Sequence, residues 1–160
     1  MYRGSEYFGL ERSHSVILAV LSQVQKSDLL MKALKSNYQY NSDRLQTTVF
    51  NHEFDNPIGV AAGFDKNAEA VPALESLGFG YAEVGTVTPR PQKGNPRPRM
   101  FKLAEDKALI NRLGFNNHGM KKVCEGLRSY NRDIPIGLNI GKMNDSNHEE
   151  SLEDYEELVE

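Results

Sequence analysis

Three short apolar stretches constrain this chain most: "IGVAA" at 58–62, "YAEVG" at 81–85 and "PIGLNI" at 135–140. Each has the length of a strand and is followed, at once or after a connection, by a segment with helical spacing. Asn67 to Leu77 puts Ala70, Ala73, Leu74 and Leu77 on one side and Gly78 at the stop, with Pro72 marking a kink or a late start. Asn117 to Tyr130 repeats the helical pattern, and "SLED" at Ser151 reads as a capping box opening a further helix. The alternation predicts parallel strands with right-handed crossovers. The third stretch is apolar on consecutive residues, as in a sheet covered on both faces.

The segment before this α/β region has a different texture. Val16, Ile17, Val20, Leu21 and Val24 predict a helix over 13–26, with Ser13 or Ser15 placed to cap it. Asp28 to Asn37 predicts a second helix, with Asp28 as its cap and Leu29, Leu30, Ala33 and Leu34 on one side. As a helical hairpin, the pair has two readings. Its apolar stripe either packs on the main body, the commoner fate, or forms a surface for lipid or a greasy ligand. "VILAVL" at 16–21 falls far short of the ~20 apolar residues that span a bilayer. The mixed charge before it and the lack of a small-residue cleavage site speak against a secretory leader. "LQTTVFNHEFD" at 45–55 suits two short strands turning near Asn51.

In sheets of this type ligands sit at the carboxyl ends of the strands. Lys66 follows the first strand, Thr86 the second, and Asn139 and Lys142 close the third, so one rim collects polar side chains. Ala61, Ala62 and Gly63 remove bulk beside Lys66, which suits either tight packing or the approach of a planar, anionic ligand. Residues 86–115 form a long excursion holding Pro89, Pro91, Pro96 and Pro98; connections of this length are usually functional. It ends in "LINRLGFNNHG" at 109–119. There Asn111, Asn116 and Asn117 are either an asparagine-rich turn or a set of amides matched to a ring with N–H and C=O groups.

Other chemistries find little support. A net charge of −3 carries no field for nucleic acid, and the basic residues Arg90, Lys93, Arg97, Arg99 and Lys102 lack interleaved aromatics. No nucleic-acid partner is expected. Cys124, the single cysteine, reads as a small buried hydrophobe. His118 and His148 flank helix starts and look structural or solvated. No metal spacing and no GxGxxG or GxxxxGK[ST] loop is present.

Taken together, "NPIGVAAGFDKN", "GFGYAEVGTVTPRPQKGNPRPRMFKL", "LINRLGFNNHG" and "GLNIGK" resemble the class 2, quinone-dependent, membrane-associated dihydroorotate dehydrogenases, in the family's order and from about Phe8 onward. The resemblance implies an α/β fold: the first three or so strands of a β/α (TIM) barrel over 41–160, preceded by a small helical domain over 1–40 that contacts the membrane and forms a quinone tunnel. It implies FMN bound by Ala61, Ala62, Gly63, Lys66, Thr86 and Asn139. It implies dihydroorotate or orotate held by Lys66, Asn111, Arg112, Leu113, Gly114 and Phe115. His14 matches a histidine near the tunnel, and Lys102 stands where the family usually has arginine. The expected activity is oxidation of dihydroorotate to orotate in pyrimidine biosynthesis, with FMN passing electrons to a quinone, at a bacterial or mitochondrial inner membrane and without a transmembrane helix.

The family's base, a serine in a "SSPNT"-like motif, has no match; Ser146 in "MNDSNHEE" lacks the Pro-Asn after it. Such barrels run to ~250 residues, so the chain reads as the N-terminal portion, with the base expected beyond Glu160 and the isolated chain inactive. A second chain completing the barrel is one option. The alternative reading is an inactive membrane-docking or subunit-interaction module.

Overall fold

The computed structural model describes residues 7–129, 131 and 133–160. Two helices open it, α1 (Tyr7–Val24) and α2 (Asp28–Tyr38). α1 begins a turn and a half before the expected start at residue 13. Ser27, not Asp28, caps α2: its hydroxyl accepts from the Leu30 N–H, and Asp28 sits in the first turn, where a carboxylate favours the helix dipole. The two helices pack on the body through α3 (Val71–Ser76), and α1 also meets β5 (Met100–Leu103).

Their apolar stripes are not covered. Leu18 of α1 is buried, whereas Val16, Ile17 and Val20 are about half exposed, and Leu29 and Leu30 of α2 are exposed too. Packing on the body therefore accounts for Leu18 and the half-buried Leu21 and leaves the outer stripe bare. Among the described residues no helix is long and apolar enough to cross a membrane.

A hairpin follows, β1 (Thr47–Val49) against β2 (His52–Phe54), as predicted. Its turn residues Phe50 and Asn51 both have positive φ, 50° and 62°, the geometry that matches strand twist in a two-residue turn. Phe54 meets Tyr81 edge to face at 5.7 Å and so fixes the hairpin to the main sheet.

That sheet has three parallel strands in the order β3 (Gly59–Val60), β4 (Tyr81–Val87), β7 (Ile136–Ile140). The parallel arrangement is as predicted, but β3 is shorter than 58–62. Residues 61–70 instead make a compact turn held by Asp65, whose buried carboxylate accepts from the N–H groups of Glu69 and Ala70, both at 2.8 Å. The helix after it consequently starts late, at Val71, with Pro72 in the first turn where its missing N–H is harmless.

One face of the sheet is covered by helices. Ala68, Val71, Val84 and Val87 pack with Val123 of α4 (Gly119–Arg128) and Leu158 of α5 (His148–Val159), while Val60, Leu74 and Ala82 form a second cluster. β7 is one of the two edge strands among the described residues, and its Gly137 and Leu138 are exposed, so the expectation of cover on both faces fails there.

Two helix starts differ from expectation because of the turns before them. α5 begins at His148, not Ser151, because Asn147 and Glu150 form the capping box. α4 begins at Gly119 because Asn117 is used in the turn before it. The expected end at Tyr130 lies outside the described residues. The proline-rich excursion conceals a second antiparallel hairpin, β5 with β6 (Ala108–Asn111), missed because its strands are short and largely exposed.

Candidate functional site

Register alone brings the strand ends together. Gly85 pairs with Asn139 across β4 and β7, so Thr86 stands beside Asn139 and donates its hydroxyl to Asn139 Oδ1 at 2.6 Å. Asn139 Nδ2 donates to Glu83 Oε1 at 2.9 Å, which fixes the carboxamide's orientation. Glu83 is a site neighbour that sequence reading missed; its place two residues before Gly85, inside an apolar strand, was the available signal.

The third strand end joins through backbone. The Gly63 N–H donates to Gly85 O at 2.8 Å, and Lys66 Nζ donates to Gly63 O at 2.9 Å. Lys66, Thr86 and Asn139 are thus linked through Gly63 and Gly85. Lys142 is not part of this rim: its ammonium donates to Met143 O and Ser146 O and closes its own loop. Ser146 donates to Asp154 Oδ2 at 2.5 Å and anchors α5.

Gly63 is a cradle. Its φ is +98°, and a Cβ there would meet nothing within 4 Å, so the backbone faces open space. Ala61 is exposed and Ala62 half-buried beside it. This bulk-free edge, with Lys66, Thr86 and Asn139 around it, leaves room for a flat ligand.

Lys66 also lines a cleft under α1 with Glu11, His14, Asn67, Arg99 and Asn116. Burial lowers its ammonium pKa; the Glu11 carboxylate opposes that and Arg99 adds to it. Glu11 accepts from Arg97 Nε and Nη2, both at 3.0 Å, and from the buried Arg99. The hydrogen bond from Arg99 holds the Glu11 carboxyl at about 2, against the cost of burial and with help from Arg97. His14 Nε2 lies 2.6 Å from Phe64 O, with its ring edge-on to Phe64. Lys102 is exposed on β5, the strand on which α1 packs, so His14 and Lys102 lie on neighbouring elements.

The segment after β6 passes close by. The Arg112 N–H donates to Arg99 O at 2.9 Å, and the Arg112 guanidinium binds Pro98 O and lies 5.9 Å from the Phe101 ring centroid. Asn111 and Phe115 are exposed, and Leu113 and Gly114 half-buried. The N–H groups of Gly114 and Phe115 meet no acceptor among the described residues. Asn116 Oδ1 is buried without a partner, a carboxamide still to be satisfied. Asn117 is different. It is buried, donates to Thr88 Oγ1 and Phe115 O, and accepts from the Thr88 and Gly119 N–H groups, so it shapes the turn and has no capacity left for a ligand. His118 contacts Glu69 at 3.7 Å on the surface, and Cys124 is half-buried rather than buried.

Parallel strands covered by helices, with polar side chains gathered at their carboxyl ends, define a mixed α/β protein of the kind that binds ligands at that rim. The dihydroorotate dehydrogenase family profile matches residues 44–160, and the chain belongs to that family. Relatives named dihydroorotate dehydrogenase (quinone) are 49% identical in Roseiflexus sp. (strain RS-1), over 91% of this chain and 40% of the relative, and 48% identical in Natronomonas pharaonis, over 94% and 43%. A crystal structure of ligand-free DHODH from Eimeria tenella is similar at a TM-score of 0.66 and 39% identity, covering 82% of this chain and 40% of that one. The chain thus spans about 40% of the length of the relatives it matches.

Proposed function

We propose that this chain supplies the flavin-facing and quinone-facing portion of a dihydroorotate dehydrogenase that oxidises dihydroorotate to orotate and passes the electrons to a quinone. The observation that carries the reading is the linked rim Lys66–Gly63–Gly85–Asn139–Thr86 beside the open cradle at Gly63. Ala61, Ala62, Gly63, Lys66, Thr86 and Asn139 would hold FMN, which when bound supplies a two-electron acceptor.

The chain's own residues bind and orient. Lys66, desolvated and holding one acceptor of a possible three, presents its ammonium to the substrate carboxylate. Asn111 offers both donor and acceptor to the pyrimidine-like ring, and the unpartnered N–H groups of Gly114 and Phe115 offer further donors, with Arg112 and Leu113 setting their backbone. None of these residues is assigned the proton abstraction. The parallel sheet over 41–160 is read as part of a β/α barrel.

Residues 1–40 are read as a peripheral membrane-contacting, quinone-guiding part. The support is the bare stripe of Val16, Ile17, Val20, Leu29 and Leu30 and the placement of His14 and Lys102 on adjoining elements. The test is purification of a full-length version. One FMN per chain and orotate binding are expected. A colourless protein that binds no orotate contradicts the reading.

A further inference from the structure

The proline-rich excursion grips the proposed substrate segment along one side. Asn95 Nδ2 donates to Arg112 O at 2.8 Å, and the Asn95 N–H donates to Leu113 O at 3.0 Å. Gln92 Nε2 donates to Gly114 O and to Phe115 O, each at 3.2 Å. Four consecutive carbonyls are therefore engaged by two residues of one strap. The Gln92 amide is oriented by the Asn144 N–H, which donates to Gln92 Oε1 at 3.2 Å, while Asn144 Nδ2 also donates to Gly114 O at 3.0 Å. The Gln92 backbone pairs with Asn117 in both directions at 3.1 Å.

Strap and segment approach too closely for a side chain on either glycine. A Cβ on Gly94 would overlap Leu113 O, and one on Gly114 would come within 2.8 Å of Asn95. Gly114 and Phe115 adopt φ of 70° and 51°, a left-handed pair that needs outside support at the non-glycine position. With the carbonyls turned to the strap, the Gly114 and Phe115 N–H groups are left for another acceptor.

We propose that Gln92 and Asn95 are positioning residues: their donors hold the carbonyls of 112–115 on the strap side and so present the segment's free N–H groups and Asn111 to the substrate. This rests on the reading of 111–115 as substrate-holding, given above. Neither residue needs to touch the substrate.

The test uses a full-length version loaded with FMN. Gln92→Met keeps length and removes the side chain's polar contacts. Gln92→Glu keeps the acceptor for the Asn144 N–H and removes the donors. Both are expected to weaken orotate binding and raise the dihydroorotate KM about 10-fold, the loss of one to two neutral hydrogen bonds. FMN content and kcat at saturation should stay near the parent's, which a merely structural role would not allow. Asn144→Ala, exposed and removing one of two donors on Gly114 O, should give a smaller change in the same direction and stands in if the Gln92 variants do not fold. If Gln92→Glu binds orotate as the parent does while Asn111→Ala loses it, the strap proposal is overturned and the substrate segment stands. If Asn111→Ala also binds orotate normally, the substrate segment itself is wrong and the strap falls with it.

Discussion

Glu11 and Arg99 lie 88 residues apart in sequence and form an ion pair that ties the first helix to the flank of the candidate site. Arg99 is buried, and its remaining donors go to Lys93 O and Asn95 O, so the same guanidinium holds both α1 and the base of the strap. Removing one partner of a buried pair leaves the other charge uncompensated. Glu11→Gln is expected to lower the stability of a full-length version by roughly 2–4 kcal/mol at neutral pH, read by urea unfolding.

The same pair sets a pH dependence. The folded-state pKa of Glu11, about 2, lies below its ordinary value of 4.5, so the folded state binds fewer protons between them. Its stabilisation is complete above about pH 4.5 and is lost as pH falls toward about 2. The stability gap between parent and Glu11→Gln should therefore narrow over that window. A gap that stays constant would show that the carboxylate's charge is not what matters.

Lys66→Ala should cut dihydroorotate turnover by about 100-fold or more, since a charge-assisted bond to a carboxylate is lost in a desolvated site. The fold should survive, because Lys66 makes one structural bond, to Gly63 O. Circular dichroism and steady-state kinetics on a full-length version check both halves; near-normal turnover would remove Lys66 from the site.

Its neighbour has the opposite character. Asp65 is 1% exposed, and its two carboxylate oxygens serve the Glu69 and Ala70 N–H groups. Asp65→Ala orphans both donors and should cost about 2–4 kcal/mol, with Asp65→Asn costing less because one acceptor remains. Equal melting temperatures for parent and Asp65→Ala would refute this.

Deletion of residues 1–40 should spare flavin reduction by dihydroorotate and impair reoxidation by quinone. The deletion removes Glu11 and opens Arg99 to water beside the already exposed Arg97, where an unpaired guanidinium is well solvated, so the rim is expected to persist. Stopped-flow absorbance separates the two half-reactions, and equal loss of both would contradict a quinone-guiding role for the helices.

The parallel strands and the rim residues Lys66, Thr86 and Asn139 were legible because short apolar runs ending in polar residues are a local pattern. The late start of α3 was half legible, in Pro72, but its cause was not: Asp65 bonds to residues four and five further on, and only the turn's geometry reveals them. The β5–β6 hairpin was hidden because four-residue strands, one of them exposed throughout, carry almost no periodicity. Asn117 and Asn116 looked alike in sequence. One is fully bonded in the turn and the other leaves a buried oxygen unpaired, a difference fixed by the partners Thr88 and Gly119 that the excursion and α4 bring to it. Glu11, Arg99, Gln92 and Asn95 were illegible as a set because their contacts join segments distant in the chain.

The most direct measurement is an anaerobic titration of a full-length version with dihydroorotate, followed by addition of a quinone, with the flavin's visible absorbance recorded throughout. The account predicts that the absorbance bleaches as dihydroorotate is added, that orotate appears in equal amount, and that quinone restores the colour. A flavin that stays oxidised in excess dihydroorotate, or a protein that carries no flavin, would contradict it.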